Sequence, residues 1–144
     1  MKTVAEMTHQ EIFDKVVMNL AIQGEVSFML NRDGETKTCA YRGVGSLTCS
    51  VGGLMPDSLY DPIMEGESVC DIYGYPEVEE FFGEHNQDLL TCIQDIHDGE
   101  YGQPKENFWN NVKREFKYLA QKEGLNLYGI QAADAKHFEI HGVV

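Results

Sequence analysis

The residues equipped for chemistry in this chain are four cysteines, one His-Asp pair and a run of carboxylates. Cys39, Cys49, Cys70 and Cys92 are separated by ten, twenty-one and twenty-two positions. Structural zinc needs four converging Cys/His ligands, commonly from two close C-x₂₋₄-C pairs. Here Cys39 and Cys49, facing each other across a hairpin, would supply half a site. A thiol nucleophile needs a nearby histidine, cation or helix N-terminus to lower its pKa. Arg42 lies three residues from Cys39, which on a strand puts the two side chains on opposite faces. The cysteines therefore read as small buried hydrophobes, and no metal or cofactor is assigned.

The oxygen ligands offer a second chemistry. Asp57, Asp61, Glu65, Glu67 and Asp71 are the hard donors that magnesium or calcium prefers. His97-Asp98, at a predicted helix end, has the form of a metal-binding pair. Together they make the alternative reading: a metal-dependent hydrolase or nucleotide-binding enzyme using His97, Asp98 and the Asp57–Asp71 carboxylates. Against it, Pro62 limits any helix that would align Asp57, Asp61 and Glu65, and no EF-hand loop is present. A helix C-terminus favours a histidine such as His97 without any catalysis. The chain has no phosphate loop and no G-x-S-x-G elbow.

Charge distribution says more than any single motif. The net charge is -13. Residues 1–42 carry -1 and residues 105–144 carry +1, whereas residues 43–104 hold thirteen acids and no Lys or Arg. Such a surface repels phosphates, which argues against direct nucleic-acid or anionic-membrane binding. A basic protein surface would be attracted. Glu77, Glu79, Glu80 and Glu84, followed by Asp88 and Asp95, are the candidate partner-binding residues.

The elements that must position these groups follow from periodicity. Thr8 and Glu11 form a capping box before an apolar stripe from Ile12 to Ala21, and Gly24 ends it, giving a helix over 9–23. Val26, Phe28 and Leu30 alternate, Asp33-Gly34 signals a hairpin, and Thr36–Arg42 and Leu47–Val51 complete a three-stranded meander. Pro76–Phe82 reads as a short helix and 86–98 as a longer one with Leu89, Leu90, Ile93 and Ile96 inward. A third helix opens at Pro104 and ends at Gly124. "LNLYGI" and "HFEIHGVV" read as paired strands. The expectation is one α+β domain over 1–144: a small antiparallel meander packed on three to four helices, with residues 126–144 a C-terminal hairpin. The start lacks an apolar leader, so a cytoplasmic location with reduced thiols is expected.

The stretch from Tyr41 to Gly66 also carries a motif. Tyr41, Arg42, Gly43, Leu47, Cys49, Gly52, Pro56, Asp57, Tyr60, Pro62, Met64, Glu65 and Gly66 stand in order, followed by Gln94, Ile96, His97, Asp98 and Trp109. In these residues the chain resembles a family of small uncharacterised bacteriophage and bacterial proteins, over roughly residues 8–125. The resemblance implies a phage or mobile-element origin and no particular activity. Arg42, Gly43, Cys49, Pro56 and Asp57 are expected to be its architectural core. In that core Arg42 pairs with Asp57 or Asp61 and ties the loop to the sheet. The first reading of function is a small acidic, phage-encoded accessory protein, not an enzyme. It would bind a basic host protein and inhibit a nucleic-acid-binding defence system.

Overall fold

The structure is a computed structural model, and it describes residues 2–35 and 37–142. It is a small α+β fold whose helices outweigh its sheet. Helix α1, His9–Gln23, starts on the expected capping box: Thr8 Oγ1 accepts from the Glu11 amide at 3.1 Å, and Glu11 accepts from the Thr8 amide at 2.9 Å. It ends at Gly24, whose φ of +76° suits glycine. Its buried stripe runs from Ile12 to Ala21 and meets Phe116 edge-on through Phe13, ring centroids 5.5 Å apart.

Strands β1, Phe28–Leu30, and β2, Lys37–Cys39, pair antiparallel with Phe28 opposite Cys39. The turn between them uses Gly34 at φ +75°. The expected start of the second strand at Thr36 lies outside the described residues. The expected third strand reduces to one bridge, Arg42 with Thr48. The reason is local. Gln23, at the end of α1, accepts from the Thr48 amide at 2.9 Å and donates to the Thr48 carbonyl at 2.9 Å. Gln23 thus holds Thr48 on the edge away from Arg42, the Gly43 amide donates to the Leu47 carbonyl at 2.8 Å across the bridge, and the Tyr41 and Arg42 amides go to the Glu65 carboxylate, so no longer ladder forms. Beyond Thr48 the chain turns into a 3₁₀ turn, Gly52–Leu54.

Four further helices precede the C-terminal one. They are α2, Val69–Ile72; α3, Pro76–Phe82; α4, Gln87–Asp98; and α5, Phe108–Glu123, ended by Gly124 at φ +69°. The short α2, opened by a Ser68–Asp71 capping box, was not foreseen.

The C-terminal hairpin is corrected: residues Tyr128–His141 form helix α6. Val143 and Val144, the end of the expected final strand, lie outside the described residues. Three alanines favour helix, and Ile130, Ala133 and His137 recur at helical spacing as its buried side. α6 packs along α1 so closely that a Cβ on Gly129 would collide with the Asp14 carboxylate. His137 Nδ1 donates to the Ala21 carbonyl at 2.9 Å, and His141 Nε2 to the Ile22 carbonyl at 2.7 Å. Those are last-turn carbonyls of α1 without a partner in their own helix.

Candidate functional site

The motif region is held by one arginine and one glutamate. Arg42 Nη1 donates to Asp57 at 2.6 Å, Nη2 donates to the Met55 carbonyl at 2.6 Å, and the guanidinium lies over the Tyr60 ring. Of the two acids expected to meet Arg42, Asp57 is the one. Glu65 accepts from the Tyr41 amide at 2.8 Å, the Arg42 amide at 3.1 Å and the Tyr60 hydroxyl at 2.6 Å. Tyr41 in turn donates its hydroxyl to the Glu67 carbonyl at 2.7 Å. The loop from Met55 to Glu67 is thus tied to the end of the sheet by groups it needs to satisfy anyway. Gly43 is required where the chain crosses β1, because a Cβ there would press on the Phe28 carbonyl and the Ser27 hydroxyl. Pro56 opens the turn that carries Asp57, since its carbonyl accepts from the Leu59 and Tyr60 amides. Burial together with the Glu65 hydrogen bond pushes the Tyr60 phenol up to about 12.

The remaining carboxylates of the 57–71 stretch have separate tasks. Asp61 accepts from the Ile63 amide, Asp71 accepts from the Ser68 amide in the capping box of α2, and Glu67 accepts from the Tyr75 hydroxyl. His97 is wholly buried. Its Nε2 accepts from the Ser27 amide at 2.9 Å, so Nδ1 carries the proton and donates to Asp98 at 2.8 Å. Both ring nitrogens are committed inside the fold. No group of three or more His, Cys, Asp or Glu able to hold a metal occurs among the described residues. The Cys39 and Cys49 thiols are not activated. Burial, reinforced by the Asp98 carboxylate, pushes Cys39 up to about 11, and burial pushes Cys49 up to about 12.

The acids singled out for partner binding are exposed. Glu77, Glu79 and Glu80 lie on α3, Glu84 on the 3₁₀ turn after it, and Asp88 and Asp95 on α4. Asp88 and Asp95, seven residues apart, share the α4 face opposite Leu89, Leu90 and Ile93. None of the six has an ion-pair partner among the described residues. Of the thirteen carboxylates in 43–104, Asp57 alone is matched by a cation among the described residues, Arg42; Asp98 takes a hydrogen bond from the neutral His97 ring, and twelve are left without an ion-pair partner. Four acids, Glu65, Glu67, Asp95 and Asp98, also line a cleft of about 420 Å³ beside Cys39 and Cys70, and no Lys or Arg lines it.

Sequence reasoning missed α6 and the groups that seat it. Asp134 accepts from Trp109 Nε1 at 2.9 Å and Lys113 Nζ at 2.9 Å, and His137 stacks on Trp109. The signal was available: Ile130, Ala133, Asp134, His137 and His141 fall on one helical face.

Comparison with known proteins gives no likeness: no family model, no characterised protein and no solved structure matches the chain significantly. No helix among the described residues is long and apolar enough to cross a membrane.

Proposed function

We propose that this is a small accessory binding protein of phage origin that engages a basic host protein through residues 43–104. The observation that supports it is the set of twelve carboxylates there without an ion-pair partner among the described residues. An acidic surface without internal cations costs self-repulsion, and a basic partner relieves that cost while steering its own approach. The same surface repels bare phosphates, so the target is a protein and not nucleic acid or an anionic membrane. A host defence protein that itself binds nucleic acid presents the required basic groove, and occupying that groove would inhibit it. The setting is the bacterial cytoplasm.

Affinity capture from host extract at low and high salt tests this, using the wild type and the triple variant Glu79→Lys, Glu80→Lys, Asp88→Lys. A partner held by the wild type at low salt, released by high salt and lost from the variant supports the reading. Binding unchanged by salt or by the three reversals would end it. The hydrolase alternative requires His97 to give up Ser27 for a metal. Stoichiometric metal in the purified protein, lost in Asp98→Ala, would reinstate it.

A further inference from the structure

A second cavity lies away from the acidic face. It measures about 480 Å³, within the range of small-molecule sites, and sits between the last turns of α1 and the 42–55 segment. No carboxylate lines it, and its one charged lining residue is Arg42. In a chain of net charge -13 that composition is unexpected.

Its polar groups are uncommitted. The side chains of Asn19, Ser46 and Thr48 line the cavity and make no hydrogen bond among the described residues. The Nε–H of Arg42 is buried and has no acceptor. Gln23, by contrast, spends its whole carboxamide bracing the wall, through Thr48 and the Glu25 carbonyl. Gly53 keeps the space between two of the free groups open: a Cβ there would come within 3.0 Å of Thr48 Oγ1 and 3.4 Å of Asn19 Nδ2. Ile22, Leu47 and Met55 supply an apolar wall.

We propose that this cavity binds a small molecule carrying an oxyanion, a carboxylate or phosphate, on an apolar body. The donors outnumber the fixed acceptors, and the fixed charge is a cation, so the matching ligand is rich in acceptor oxygens. Asp57 acts as the internal competitor. Its side chain is 95% exposed and is anchored at Arg42 Nη1, where an incoming oxyanion would take its place.

The test is titration of the ¹⁵N-labelled protein with phenylacetate and with inorganic phosphate in separate arms, and with phenylacetamide as the neutral control. Phenylacetate is expected to shift the Thr48, Gly52 and Gly53 amides and the Asn19 side-chain amide at millimolar concentration. Binding by phosphate alone would assign the oxyanion to a phosphate ester. Asn19→Leu and Thr48→Val should each weaken binding about tenfold with the melting temperature unchanged. Asp57→Asn should tighten it by removing the competitor. The proposal is overturned if neither oxyanion binds, if phenylacetamide binds as well as phenylacetate, or if both cavity variants bind like the wild type. Because the acids reversed in the partner-capture variant lie outside this cavity, each experiment can fail without the other.

Discussion

The seam of α1, α5 and α6 and the segment 43–104 treat charge in opposite ways. In the seam, Asp134 meets Lys113, Glu139 meets Lys136, and even the carbonyls left open at the end of α1 receive histidine donors. In the middle segment, apart from Asp57 on Arg42, the carboxylates that fix the fold do so through neutral donors, chiefly backbone amides and tyrosine hydroxyls. Their charge is left uncancelled. A seam that satisfies itself has no electrostatic reason to seek a partner. The middle segment is structurally complete and electrostatically open, and that is the condition for a surface that acts on something else.

The sharpest way to break the contrast is at the buried anchors. His97→Ala removes a fully buried ring and strands the Ser27 amide, and should cost about 3–5 kcal/mol by urea denaturation. Glu65→Ala strands two backbone amides and the Tyr60 hydroxyl in a half-buried place. It should cost about 2–3 kcal/mol, whereas Glu65→Ala would be nearly silent if the carboxylate served only the surface field.

pH separates the two regions next. Cys39 and Cys49 have raised folded pKa values, so their contribution is complete below the ordinary thiol value and is lost as pH rises towards about 11 and about 12. Thermal melting should therefore fall on the alkaline side, and Cys39→Ser should reduce that fall. Asp134 behaves in the reverse sense. Hydrogen bonds from Lys113 and then Trp109 lower its pKa, so its contribution is present above the ordinary carboxyl range and is lost as pH falls through the lowered value. Asp134→Asn should flatten the acid limb of the melting curve.

Smaller effects test the open charge itself. Added sodium chloride should stabilise the free protein by less than about 1 kcal/mol, and the Glu79, Glu80, Asp88 reversal should remove most of that salt response. At the thiols, exposed Cys70 should react with Ellman's reagent at pH 8 while buried Cys49 waits for global opening.

Local signals carried much of this architecture. The capping box at Thr8, the glycine stops at Gly24 and Gly124, and the apolar stripes of α1, α4 and α5 each depend on residues close in sequence, so periodicity reveals them. The shortness of the third strand is illegible in the sequence because side chains far along the chain take its backbone groups, Gln23 at Thr48 and Glu65 at Tyr41 and Arg42. α6 was misread because Leu125, Leu127 and Ile130 could be taken as strand-like, while its docking depends on α1. His97 and Asp98 stood out as chemistry in the sequence, yet a backbone amide seventy residues distant claims the ring. Arg42 and Asp57, fifteen residues apart with a turn between them, were close enough to be paired from the sequence.

The histidine caps on α1 bear on the order of events during synthesis. His137 and His141 reach Ala21 and Ile22 across 116 and 119 residues. Helix α1 waits for the later-synthesised α6 before its final turn is satisfied. At about 5–20 residues per second that delay is roughly 6–23 s, and for most of it the apolar stripe of α1 has neither α5 nor α6 to cover it. Loop closure over such a span is slow relative to local helix formation, so the nascent chain passes through a long interval as an incomplete core.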